Sequence, residues 1–166
     1  MSYIELIIQS LGILAFCILV LSYTRKTPTL ILLYQCVSNS IYALHYFLLG
    51  ALPGALISFV GLFRNIAIMK VKKHREIVVI VVISIYALIT MIFYEGISSI
   101  FPMIANSCYL LTMVKDTRES LLIGGLISSS LWCTYSFVVG SYAGMITEFI
   151  VFVTNIIHLI NIKRDK

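Results

Sequence analysis

The chain has 166 residues, of which 60% are hydrophobic and only 11% charged, against about a quarter charged in a soluble domain. That balance and a mean hydropathy of +1.03 exclude a soluble globular protein and predict an integral membrane protein whose first partner is the lipid bilayer. The net charge of +5 is therefore not read as a nucleic-acid footprint, no nucleic acid is expected as a partner, and the basic residues report orientation instead.

A spanning helix needs about 20 mostly apolar residues, and seven runs fit. The opening residues, Met-Ser-Tyr-Ile-Glu, carry no basic stretch and no small-residue cleavage site follows, so no removable signal peptide is expected. The first run is 4–23, closed by Arg25-Lys26-Thr27-Pro28, and the second is 30–49. Gly50-Ala-Leu-Pro-Gly54 reads as a tight turn, with Gly50 and Gly54 as turn residues. The third run, 54–71, ends in a basic cluster from Lys70 to Arg75. The fourth, 77–94, is apolar on every face and suits a lipid-facing or linking helix. The fifth, 97–114, has Pro102 near its start, where a missing N–H costs little. The sixth is 121–139, the turn Gly140-Ser-Tyr-Ala-Gly144 follows, and the seventh is 144–162, ahead of Lys163-Arg164-Asp165-Lys166. Cys17, Cys36, Cys108 and Cys133 all fall inside apolar runs without a CxxC, and are read as small buried hydrophobes rather than a disulfide or metal site.

Residues 38–73 return as 128–163 without a gap. Ser38/Ser128, Ser40/Ser130, Phe47/Phe137, Gly50/Gly140, Gly54/Gly144, Phe59/Phe149, Asn65/Asn155 and Lys73/Lys163 are identical, and Tyr42/Trp132 and His45/Tyr135 keep their character. Apolar composition would match many Leu and Ile by chance, but not paired Gly, Asn and Lys in register, so the chain is read as a duplication. With seven spans, eleven of the twelve Lys and Arg fall on one side, the exception being Arg64 inside the third run. Basic residues collect in cytoplasmic loops. The expected fold is thus an all-α membrane protein with seven transmembrane helices, the N-terminus outside and the C-terminus cytoplasmic. Two three-helix repeats, 1–73 and 97–166, lie parallel because a linker helix in 74–96 separates them.

The polar residues inside these runs are the candidate site. Glu148 is the one acidic side chain well inside a span, where a carboxylate costs roughly 2.5–3.5 kcal/mol at a helix centre and less near an end. It is read either as a proton-titrating or substrate-binding group or as a carboxylate reaching outer water. Glu148, Asn155 and His158 share a face at spacings of seven and three, and Ser58, Gly61 and Asn65 share the matching face of the third helix. Asn65 and Asn155 are expected to face one another across the axis between the repeats, binding a solute or joining the halves. Tyr42 with His45, and Trp132 with Tyr135, are spaced by nearly one turn; each pair either flanks a pocket or belongs to an interfacial aromatic belt, and His45 near Glu148 could form a pH-sensitive pair. Arg64 either snorkels to headgroups or meets a charge partner or anionic solute.

Two resemblances follow from these residues. The parallel three-plus-one-plus-three plan resembles the SWEET and PQ-loop superfamily. HYFLLGALPG (45–54), FRN (63–65), Trp132, GSYAGMITE (140–148) and TNII (154–157) look like the bacterial inner-membrane YgjV family. The family resemblance implies a bacterial inner (cytoplasmic) membrane location and names no activity. The SWEET resemblance implies a pocket between the halves, lined by an aromatic on the second helix of each unit and an Asn about 16 residues later. Here Tyr42 and Trp132 hold the aromatic positions, but Ser58 and Glu148 stand in place of the Asn, and the Pro-Gln pair of the first helix is missing.

No Ser-His-Asp set with credible spacing, HExxH, P-loop or GxGxxG is present, so no enzyme, cofactor or metal is expected. The expected function is transport of a small polar or ring-bearing solute by alternating access, with possible proton coupling. A non-transporting receptor or a structural membrane protein of the same fold is the alternative. A homo-oligomer is open, although both halves in one chain would let a monomer work.

Overall fold

Thr27 and Thr117, ninety residues apart, open helices in the same way: each side-chain oxygen accepts from the backbone N–H three residues on, that of Leu30 or Ser120. This is the N-cap that threonine supplies. The computed structural model describes residues 3–164, all of them helix or short connection. The helices are α1 (Tyr3–Tyr23), α2 (Pro28–Leu48), α3 (Leu52–Lys70), α4 (Arg75–Ile92), α5 (Ile100–Met113), α6 (Arg118–Val138) and α7 (Tyr142–Arg164), with a 3-10 turn over Ile97–Ser99 leading into α5. Five of them, α1, α3, α4, α6 and α7, are long and apolar enough to cross a membrane. α2 is as long as α1 but carries Gln35, Ser38, Asn39, Ser40 and His45, and α5 is only 14 residues.

α2 and α6 end alike as well. The Ala51 N–H donates to Tyr46 O at 2.9 Å and the Gly50 N–H to Phe47 O at 3.0 Å; Ser141 and Gly140 repeat both bonds onto Ser136 and Phe137. Gly50 (φ 76°) and Gly140 (φ 73°) supply the left-handed residue this helix ending needs. Gly54 and Gly144 do not belong to the turns as expected. α3 starts at Leu52 and α7 at Tyr142, so both glycines lie inside helices. A Cβ on Gly54 would sit 2.6 Å from the Tyr135 ring, so its use is to leave room for that ring of α6 against α3.

The packing of the first three helices recurs in the last three. α2 lies against both α1 and α3, and α6 against both α5 and α7. Between the two sets, α1 meets α7 and α5 meets α3. α4 fits against α3 and α5, and it is not featureless as its apolar sequence suggested. Arg75, Val79, Val82, Tyr86 and Thr90 form a buried stripe at spacings of three and four. The core runs through Ala15, Ile31, Ile57, Ile68, Tyr86, Ala105, Leu110 and Leu121. Phe47, Phe59, Ile80, Met91, Phe137 and Phe149 point outward, the apolar surface that a bilayer covers.

At the basic end, Arg75 Nη2 donates to Asp116 Oδ2 at 2.8 Å, tying the start of α4 to the α5–α6 connection, and Lys72 approaches the same oxygen at 3.9 Å. Asp116 has φ 50°, a conformation that Asp and Asn tolerate better than most residues. Asp116→Asn keeps that tolerance and removes the charge. It is expected to cost about 1 kcal/mol in thermal unfolding at low salt, and less at high salt.

Candidate functional site

Between the two helix sets lies a cavity of about 60 Å³, well above the roughly 10–15 Å³ one water molecule needs. Its wall follows the ninety-residue offset of the sequence. Leu19/Tyr109, Gln35/Gly125, Asn39/Ser129, Tyr42/Trp132 and Ser58/Glu148 all line it, and every one of these pairs is separated by ninety residues. The remaining wall is Tyr23, Tyr46, Arg64, Asn106 and Ser128. Five positions of the first helix set and the five positions ninety residues on thus face one space.

The aromatic side of the wall is a stack that crosses from one copy to the other. Tyr46 lies 5.9 Å from Tyr42 and 5.4 Å from Trp132, with ring planes within about 25° of parallel. The Tyr46 hydroxyl shares a 2.8 Å hydrogen bond with Ser136, itself ninety residues away. At the other side of the cavity, Gln35 and Tyr109 join the halves again: Gln35 Nε2 donates to the Tyr109 hydroxyl at 2.7 Å, and that hydroxyl lies 2.9 Å from Gln35 Oε1.

The wall carries two charged side chains. Arg64 is only 3% exposed and does not snorkel. Its Nε and Nη2 donate to Asn65 Oδ1 at 3.0 and 2.9 Å, its Nη1 donates to Asn106 Oδ1 at 2.7 Å, and the guanidinium lies over the Tyr109 ring at 5.3 Å. The hydroxyl of Tyr86 on α4 accepts a longer bond from the same Nη1. Glu148 is 8% exposed, and among the described residues its carboxylate has no hydrogen-bond donor and no cation in reach. It separates the cavity from an apolar groove between α6 and α7, lined by Phe137, Met145, Phe149 and Phe152.

Of the eight expected site residues, the structure brings four to the cavity: Tyr42, Ser58, Trp132 and Glu148. The Tyr42 hydroxyl is buried with no hydrogen-bond partner. The other four do not line it. His45 is fully buried, with Nδ1 2.8 Å from Ile8 O and Nε2 2.8 Å from the Ser141 hydroxyl, so it is bound to α1 and the α6–α7 turn and makes no pair with Glu148. A carbonyl can only accept, which puts the proton on Nδ1 and makes Nε2 the acceptor for Ser141. Tyr135 accepts from the Gly54 N–H at 3.0 Å. Asn65 holds Arg64 from beneath, and Asn155 lies against Gly125 and Tyr23 with both amide atoms unpaired. Among the described residues no hydrogen bond joins the two Asn. Gln35, Asn39 and Asn106 are among the polar wall residues that periodicity does not select, together with Tyr23, Tyr46, Tyr109, Ser128 and Ser129; Arg64, read above as snorkelling or meeting a charge, stands on the wall as well. The ninety-residue offset, applied to every polar residue of α2, would have found Gln35 and Asn39.

A family model described as Imp-YgjV, bacterial inner membrane protein, matches residues 6–166. No curated protein and no solved structure matches the chain.

Proposed function

Because the chain belongs to the Imp-YgjV family of bacterial inner membrane proteins, we propose that it carries a small polar solute across that membrane through the cavity between its two helix sets. The observation that bears most of this reading is the wall itself: five residue pairs, each one position in two copies, converge on one polar space. A structural protein has no use for a polar cavity with an unpaired carboxylate, since burying such groups costs several kcal/mol unless something offsets it.

In this reading all seven helices span the bilayer, with the basic ends of α3 and α7 cytoplasmic and α4 keeping the two sets parallel, as in SWEET-like proteins. α2 then spans despite its polar residues because Gln35, Asn39 and Tyr42 face the cavity and not lipid. Alternating access is a rocking of one set against the other. Tyr46 with Ser136 and Gln35 with Tyr109 are two of the hydrogen bonds that cross between sets beside the cavity, and they are contacts such a motion would break in turn. Glu148 is the group through which a proton would be coupled.

The test is a thermal-unfolding screen of purified protein against sugars, nucleosides, vitamins, amines and amino acids at two pH values, followed by uptake of any hit into proteoliposomes. The expected result is stabilisation by one solute class, uptake of that class, and loss of both in Glu148→Gln. Binding without uptake would favour a receptor. No stabilisation by any class, with unaltered stability of Glu148→Gln, would count against a site there.

A further inference from the structure

Resting on that reading and narrowing it, we propose that the solute is a small zwitterion, its anionic group taken by Arg64 and its cationic group by Glu148. Both side chains are more than nine-tenths buried and both line the same cavity. Neither has a partner of opposite charge among the described residues. They do not pair with each other either. Two isolated buried charges of opposite sign are each costly, and each loses that cost when a counter-charge arrives.

The duplication shows that the charges are placed and not inherited from the frame. Where the second copy has Glu148 the first has Ser58, and where the first has Arg64 the second has Thr154. A symmetric cavity has thus been given one positive and one negative side.

The surroundings suit each role. The guanidinium is held by Asn65, Asn106 and Tyr86, which take four of its five N–H groups and leave one on Nη2. A pre-positioned fork of this kind is suited to a carboxylate. On the wall with Glu148 stand the stacked rings of Tyr42, Tyr46 and Trp132, and aromatic faces attract an ammonium or quaternary nitrogen. A neutral sugar would leave both charges unmatched. A simple anion or amine would leave one of them unmatched. The cavity volume of about 60 Å³ restricts the solute to a small one.

The experiment measures binding of three zwitterions of rising size, glycine betaine, L-proline and L-phenylalanine, by equilibrium binding and thermal unfolding. Each is compared with its matched amine and carboxylate, for proline pyrrolidine and cyclopentanecarboxylate, and with neutral glucose. At least one zwitterion is expected to bind about thirtyfold or more tighter than either of its halves. In Glu148→Gln that preference should fall to the affinity of the matched carboxylate, which itself should be unchanged. In Arg64→Gln it should fall to the affinity of the amine. The ligand series on the unaltered protein and the near-isosteric Glu148→Gln decide the matter even where the Arg64 variant does not fold. If no zwitterion exceeds its halves, the proposal is overturned. A neutral solute that binds and loses its site in Glu148→Gln would overturn the zwitterion while leaving the transport reading standing; no binding by any probe would overturn the zwitterion, and the transport reading falls with it only where the wider screen above finds no ligand either.

Discussion

His45→Ala is expected to lower the stability of the purified protein by on the order of 4 kcal/mol, the largest loss of any single truncation around the cavity. The imidazole is fully buried and links three elements: α2 through its own backbone, α1 through Ile8 O, and the α6–α7 turn through the Ser141 hydroxyl. Truncation removes a large side chain from a packed site, which costs about 2–5 kcal/mol. It also removes one hydrogen bond each from the buried Ile8 carbonyl and Ser141 hydroxyl, worth roughly 1 kcal/mol each. His45→Gln, which can reach one of the two partners, should recover part of the loss. The measurement is the thermal unfolding midpoint in one detergent across the three proteins. The affinity of the folded fraction for any cavity ligand should be unchanged, because His45 does not line the cavity.

Gly54→Val is expected to cost about 2–4 kcal/mol, by a different mechanism. Its Cβ would lie 2.6 Å from Tyr135 Cε1 and 2.8 Å from the Tyr135 hydroxyl. The ring cannot easily withdraw, since it packs against Tyr46 at 5.7 Å and Trp132 at 5.6 Å. Overpacking costs about 1–3 kcal/mol, and moving the ring also breaks the hydrogen bond from the Gly54 N–H, worth about 1 kcal/mol. Gly50→Ala should cost only about 1 kcal/mol, from its positive φ alone, because nothing lies within 4 Å of its Cβ direction. Urea or thermal titration of the two variants separates the cases: equal losses would mean that Gly54 serves the turn after all.

The contrast between these glycines shows where sequence reasoning reached its limit. The repeat put Gly50/Gly140 and Gly54/Gly144 in register, and both pairs looked alike as turn residues. Only the Tyr135 ring lying against α3 separates a residue that needs a left-handed backbone from one that needs a missing side chain. The same limit explains the candidate site. Tyr42, Ser58, Trp132 and Glu148 were legible because helical spacing and the family-like pocket plan place them on inward faces at one height. His45 and Tyr135 lie only three residues further along those faces. At their height the neighbours are α1, the α6–α7 turn and the first turn of α3, and spacing along one helix does not report which neighbour closes over it. Arg64 could be placed close enough to the basic end to snorkel. Its inward course depends on oxygens from α4 and α5, supplied by Tyr86 and Asn106, which no local pattern in α3 announces.

The most direct test of the cavity as a two-sided solute path is substituted-cysteine accessibility. Ser58→Cys and Ser128→Cys place one thiol on the wall from each copy, in a background with Cys17, Cys36, Cys108 and Cys133 replaced. A membrane-impermeant thiol reagent is applied to right-side-out and to inside-out vesicles. The account predicts that both positions are modified from both sides, at rates that a bound solute lowers. Modification from neither side would contradict it, as would two thiols that answer only to one face of the membrane.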